Sequence, residues 1–375
     1  MGQWFVRHMV VMCGLGVAFA PLANAEPAKT AVDGKAFEKA VTSGVEYLKN
    51  KGQAADGSFS AQAGPGVTAL VLTGILRSGR SPDEPWIQKG LKYLEAQMQE
   101  DGGVSKADAF YRNYDTCLTL LCFSEANKDK RYDAQIKKMD AYLKGNQWDE
   151  SEGKDKSDLF YGGAGYGRSK RPDLSNTHFM VEALRASGNG ADSEAIQRAL
   201  VFISRCQNLE TEHNTTAFAA KVTDGGFYYT PAGGGSSQAG TTADGGLRSY
   251  GSMTYAGLKS MIFAGLKADD PRVKAATTWI KKNYDLKNNP GMKDSGLFYY
   301  YHTFAKAIAA MNTDTFEDEK GVKHDWRNEM VQELVSRQKA DGSWINDNNK
   351  WLEGDPNLVT GYALLTLSYC KPETK

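Results

Sequence analysis

Residues 338–344 read QKADGSW, and residues 53–59 read QAADGSF. Both stretches place a glutamine, two spacers, Asp-Gly-Ser and an aromatic in the same order, one near each end of the chain. Asp-Gly makes a tight turn. The glutamine closes a segment with helical periodicity, where the last carbonyls lack intrahelical partners. The aromatic opens the way into a segment that is more uniformly apolar. One turn written twice, between the same two kinds of segment, points to a repeated helix-turn-helix unit.

Working outward from these two copies, the preceding segments carry apolar residues at spacings of three and four: Phe37, Val41, Val45 and Leu48; Ile87, Leu91, Leu94 and Met98; Trp326, Met330 and Leu334. Each set makes one buried stripe on a helix. The following segments, such as VTALVLTGIL, DTCLTLLCFSEA and VTGYALLTLSY, are small and apolar around most of the helix. They suit helices packed between neighbours. A threonine stands near the start of six of them: Thr68, Thr116, Thr177, Thr254, Thr303 and Thr360. Amphipathic partners are predicted over 37–50, 87–99, 134–145, 193–206, 271–284 and 326–338. Weaker versions of the turn occur as QMQEDGGV (97–104), DGGF (224–227) and DSGLF (294–298).

Terminal units of an open solenoid are usually atypical, because they cap an exposed apolar face. Here the first and last units carry the best copies of the motif. The expected fold is therefore all-α and closed: an (α/α)6 toroid of six helix hairpins, with inner helices of small and apolar residues and amphipathic outer ones.

The Q-x-x-D-G-S-W stretch resembles the QW motif of squalene–hopene and oxidosqualene cyclases. The whole pattern resembles the prenyltransferase and squalene-oxidase repeats of the α/α-toroid superfamily, over nearly all of residues 26–375, which read as a single domain. That resemblance implies a terpenoid cyclase-like or prenyltransferase-like protein that binds or transforms an apolar or isoprenoid small molecule. Class II cyclases of this superfamily carry their acid in a D-x-D-D-T motif. DLSNT, residues 173–177, stands at the matching place, with Ser175 at the acid position and Asn176 after it. A serine hydroxyl is too weak an acid to protonate an alkene, so this chemistry is not expected. Asp173, Ser175 and Asn176 are equally good helix N-caps.

Protein prenyltransferases of the superfamily hold zinc through Asp, Cys and His. Here the resemblance offers Asp115 and Cys117 in DTC and His178 in NTH. The family's histidine precedes the helix-start threonine, as His302 does in YYYHTF, whereas His178 follows Thr177. On the residues alone Asp115 is an N-cap and Cys117 a core residue, and no cofactor is expected. A polysaccharide-active barrel using paired carboxylates and a non-catalytic protein-interaction scaffold stand as alternative functions.

Aromatics and glycines concentrate in the connectors entering the inner helices. Phe160, Tyr161 and Tyr166, then Tyr228 and Tyr229, then Tyr300 and Tyr301 are expected to gather at one rim and bind the ligand. The stretch 225–251 is long for a connector and is expected to be a lid or binding loop.

Lys+Arg and Asp+Glu both number 45, and the signs are interspersed. Nothing here argues for a nucleic-acid partner. Residues 1–25 read as a secretory signal peptide: Arg7 and His8, an apolar run over 10–20, and Ala23-Asn24-Ala25 before Glu26. The remainder has no segment apolar enough to span a membrane. Export to the periplasm or medium is the expectation.

Overall fold

The computed structural model describes residues 34–105, 108–167 and 170–372. The signal-peptide reading of 1–25 lies outside the described residues. Among them thirteen α-helices follow one another: α1 (Gly34–Tyr47), α2 (Pro65–Arg77), α3 (Pro85–Gln97), α4 (Arg112–Ala126), α5 (Asp133–Lys144), α6 (Leu174–Ala186), α7 (Glu194–Arg205), α8 (Ala219–Val222), α9 (Gly251–Phe263), α10 (Pro271–Lys282), α11 (Leu297–Ala310), α12 (Trp326–Arg337) and α13 (Pro356–Ser368). No helix among them is long and apolar enough to cross a membrane.

Six helices form the inner ring: α2, α4, α6, α9, α11 and α13. Each packs on the next, and α13 packs on α2, so the ring closes. Their sequences fit the position: Pro65 to Leu76 of α2 and Gly251 to Met261 of α9 are buried on every side. The outer helices bury one stripe each. On α7 this is Ile196, Ala199, Leu200 and Ile203, spaced three and four apart. The inner helices α2, α4, α6 and α9 each pack on the outer helix that follows, and α13, with none after it, packs on α1 and α12. The fold is thus the expected α/α toroid.

The repeated heptapeptide is the joint between units. The Gln53 side-chain amide donates to Gly57 O (3.1 Å) in its own turn and to Trp86 O (2.9 Å) in the next outer helix, α3. Gln338 does the same to Gly342 O (2.9 Å) and to Ala40 O of α1 (2.9 Å), lacing the last unit to the first. Gln147 and Gln207 repeat the clamp onto Ala195 of α7 and Arg272 of α10. The turn glycine sits at φ 96° in Gly57, 86° in Gly102, 80° in Gly162, 77° in Gly225 and 91° in Gly342. Each is pressed against a backbone carbonyl of an outer helix. A Cβ on Gly162 would lie 1.8 Å from Arg198 O.

The threonines complete the joint. The hydroxyls of Thr68, Thr116, Thr177, Thr254 and Thr360 accept the N–H of Phe59, Val104, Ala164, Phe227 and Trp344, at 2.9–3.1 Å. Those buried N–H groups would otherwise be orphaned. Thr303 departs from the set and bonds only its own helix, at Tyr300 O. The joint before α12 is held instead by Glu333, which takes Lys287, Arg337 and the Tyr301 hydroxyl.

Two features were not foreseen. A two-residue hairpin, Phe316–Glu317 with Lys323–His324, precedes α12; runs this short carry no alternation to read. The one-turn α8 lies in the connector between α7 and α9. That connector is stitched by isolated bridges, Gln207 to Phe227, Thr230 to Ser236 and Thr241 to Leu247. Cys117, Cys122, Cys206 and Cys370 are free and buried.

Candidate functional site: a tyrosine cavity on the ring axis

The N-terminal ends of the inner helices surround a cavity of about 230 Å3. Seven tyrosines line it: Tyr111, Tyr114, Tyr166, Tyr229, Tyr250, Tyr299 and Tyr362. Val67, Leu70, Leu118, Met253 and Leu358 complete an apolar wall, and Trp351 and Leu352 stand half-exposed at the mouth. The rings pack on one another. Tyr166 stacks on Phe110 (4.9 Å between centroids) and on Tyr114 (5.7 Å). The long 225–251 stretch supplies Tyr229, Gln238 and Tyr250 to the lining.

Of the connector aromatics singled out in the sequence, Tyr166 and Tyr229 reach the cavity, with their hydroxyls 3.2 Å apart. The others serve the joints. Tyr161 donates to Glu150, Tyr228 to Arg205 O, Tyr300 to Asp285 O and Tyr301 to Leu286 O. Phe160 packs edge-on against Trp148. In YYY, residues 299–301, the helical turn of 100° per residue sends Tyr299 to the axis and its two neighbours outward.

Asp115 is the carboxylate in the lining. It does not cap its own helix. From the first turn of α4 it accepts Gly66 N (2.9 Å), an unpaired donor at the start of α2, and the Ser105 hydroxyl (2.6 Å). Burial pushes its carboxyl up to about 6. Asp173 is the N-cap of α6, with one oxygen on Asn176 N (2.8 Å) and the other on the Asn176 amide (2.9 Å). Burial raises it to about 6 as well. Asn176 also takes the Asn113 amide (3.0 Å), facing α4 rather than the cavity. Ser175 does line the cavity, between the hydroxyls of Tyr114 and Tyr299 (2.9 Å).

Asp115, Cys117 and His178 are not brought together. Among the described residues no three His, Cys, Asp or Glu side chains are placed to hold a metal ion. Burial pushes the Cys117 thiol up, away from the thiolate a metal needs, and its Sγ faces Asn113. Both nitrogens of His178 are engaged, Nε2 with the Tyr299 hydroxyl (2.7 Å) and Nδ1 with Lys259 Nζ (2.9 Å).

Below the cavity lies a layer the sequence reading missed. Lys259 of α9 donates to Glu182 of α6 (2.8 Å), and Glu182 also pairs with Lys306 of α11. All three are nearly inaccessible, at 1%, 5% and 6% exposed. Burial pushes Lys259 down to about 7 and Lys306 down too. His302, pushed to about 3 by burial and by Lys259 and Arg77, stands beside them. The signal was available: Glu182, Lys259 and Lys306 are charges set inside the apolar stretches NTHFMVEALRASG, MTYAGLKSMIFAG and HTFAKAIAAM.

No protein family matches this chain, and no curated protein matches it. Among solved structures it is similar to a family 76 glycoside hydrolase from a bovine Bacteroides thetaiotaomicron strain, at 11% identity and a TM-score of 0.50, covering 88% of this chain and 77% of that one. A family 88 glycosyl hydrolase from Bacteroides vulgatus gives 11% and 0.49, covering 88% and 98%. The apo type II terpene cyclase MstE from Scytonema gives 14% and 0.48, covering 90% and 98%. At 11% identity the likeness to the family 76 glycoside hydrolase is one of fold alone and leaves activity to be argued from the site.

Proposed function

We propose that this protein is an exported toroid that binds or transforms an apolar or isoprenoid small molecule in the tyrosine cavity, without class II cyclase chemistry. The lining carries the reading: seven tyrosines and an aliphatic wall around one carboxylate. Aromatic faces suit prenyl chains and positive charge alike. Ser175, at the cyclase acid position, is a hydroxyl held between two phenols. Asp173 holds Asn176 with both oxygens and stands outside the cavity lining. Asp115, near 6, is strong enough to protonate an enolate or alkoxide and far too weak for an alkene. A glycosidase needs two facing carboxylates, and the lining offers Asp115.

Trp351 at the mouth gives the test. Titration with farnesol and geranylgeraniol should change its fluorescence saturably, and the change should be lost in Trp351→Phe. A mannose or xylose oligosaccharide should leave it unchanged. Saturation by the oligosaccharide alone would replace this reading with the polysaccharide one. For export, the mature protein should begin at Glu26 by mass spectrometry; an intact Met1 would contradict it.

A further inference from the structure

The hydroxyls of the cavity and the charges beneath it form one unbroken chain. From the cavity inward it runs Tyr114, Ser175, Tyr299 (2.9 Å), His178 (2.7 Å), Lys259 (2.9 Å), Glu182 (2.8 Å) and Lys306. Five inner-ring positions on four helices contribute Ser175, Tyr299, His178, Lys259 and Tyr114, so no local motif explains their alignment. Glu182 and Lys306 also line a depression at the opposite end of the axis, with Arg77, Arg185 and Phe263. The chain therefore crosses the ring from one face to the other.

Its direction is set by Lys259. An ammonium can only donate, so it fixes His178 Nδ1 as acceptor and Nε2 as N–H. Nε2–H then donates to Tyr299, Tyr299 to Ser175, and Ser175 to Tyr114. The Tyr114 hydrogen is left over, free to turn toward the cavity that Tyr114 lines. When Lys259 is an amine, its lone pair can accept Nδ1–H, and every bond in the row reverses. Tyr114 then offers an oxygen instead of a hydrogen.

We propose that this row is a proton relay, and that the cavity takes an apolar molecule with an anionic oxygen, an enolate or phenolate, seated against the Tyr114 hydroxyl. The inference rests on the cavity being the ligand site. In one passage the Lys259 ammonium gives a proton to His178 Nδ1, Nε2–H passes to Tyr299, and the phenol proton moves to Ser175. The Ser175 proton moves to Tyr114, and the Tyr114 proton to the ligand oxygen. Lys259 ends neutral, His178 ends as the opposite tautomer, and the ligand oxygen gains one proton. Hydroxyl rotation, tautomer exchange and a proton taken up through Glu182 and Lys306 restore the start.

The charges around Lys259 permit this. Glu182 and His178 face it from α6, Lys306 and His302 from α11, and the Phe179 and Phe263 rings cover its Nζ. Arg77 of α2 and Glu125 of α4 pair with each other beyond Lys306. One carboxylate is shared by two buried ammoniums, so a proton can leave without exposing a bare buried charge. Burial sets the Lys259 amine to do so at about 7. His178 is held neutral by burial and by Lys259, so it changes tautomer rather than charge.

The test is nitrogen NMR of ligand-free protein labelled at histidine, with His178 assigned through His178→Gln. Raising the pH from about 5.5 to about 8.5 should convert His178 from Nε2–H to Nδ1–H, its two nitrogen resonances exchanging positions. Lys259→Met should abolish the exchange. A single tautomer throughout, an imidazolium in this range, or an exchange that survives Lys259→Met would overturn the relay. Titration with 4-nitrophenol reads the ligand class separately. The bound phenol should ionise more readily than in water, and Tyr114→Phe should weaken nitrophenolate binding about tenfold. Tautomer exchange with no nitrophenolate binding would overturn the ligand class alone. Binding without the exchange would overturn the relay and leave the cavity as the site.

Discussion

The joints of the ring and its axis are built on opposite plans. At the joints the same few residues recur: a glutamine clamp, a left-handed glycine against a carbonyl, and a threonine on a buried N–H. On the axis tyrosine recurs in the lining, but the polar and charged groups follow no repeat. Asp115 comes from α4, Ser175 and Glu182 from α6, Lys259 from α9 and Lys306 from α11, at positions that no other unit repeats. Repetition is what closure of a ring demands, since each joint solves the same problem. A site needs different groups at different places, so it must break the repeat. Changes at the joints should therefore cost stability, and changes on the axis should cost binding or proton transfer.

The largest effect is expected at a joint glycine. Gly162→Ala puts a side chain in the left-handed region and its Cβ 1.8 Å from Arg198 O. Backbone strain and overpacking together should destabilise the protein by about 3–5 kcal/mol, measured by urea unfolding. A near-neutral Gly162→Ala would mean that the units slide at this joint.

The threonines separate regular joints from the irregular one. Thr68→Val leaves the Phe59 N–H buried and unpaired, and should destabilise by about 1–3 kcal/mol. Thr303→Val removes a hydroxyl bonded only within its own helix, and should lie below about 1 kcal/mol. Equal losses would show that the shared threonine is a packing residue and not a joint.

Asp115 belongs to both regions, and pH distinguishes its two roles. Its folded carboxyl, at about 6, lies above the unfolded value near 4. The folded state therefore binds the proton more tightly, and wild-type stability rises as pH falls from 7 through 6. Asp115→Asn has no such term. The wild type should gain on this variant by about 1 kcal/mol between pH 7 and 5. A gain in the other direction would place the carboxylate in an unseen ion pair.

How much of this could be read in the sequence follows from the same contrast. The heptapeptide and the threonines disclosed the unit, and the well-formed terminal copies disclosed closure, which Gln338 performs on Ala40. The role of the connector aromatics was legible only in part. Composition collected Tyr161, Tyr166, Tyr228, Tyr229, Tyr300 and Tyr301 into one class. One step of helix phase, 100° per residue, then decides whether a ring faces the axis, as Tyr299 does, or a joint, as Tyr300 and Tyr301 do. Asp115 looked like a cap for its own helix and caps α2 instead, because it lies inside the first turn of α4, with Tyr111 at the N-cap, and its side chain meets Gly66 N of the neighbouring helix. Lys259, Glu182 and Lys306 are distant in sequence, and only ring closure makes them one cluster.

The most direct measurement compares two tyrosines for stability and for farnesol binding in the same preparations. Tyr166→Ala opens the cavity wall, and Tyr228→Ala empties a fully buried joint position. Tyr166→Ala should weaken farnesol binding about tenfold or more while unfolding within about 2 kcal/mol of wild type. Tyr228→Ala should lose about 3–5 kcal/mol of stability and bind farnesol unchanged wherever it remains folded. The reverse pattern, with binding lost at Tyr228 and kept at Tyr166, would contradict a functional site on the ring axis.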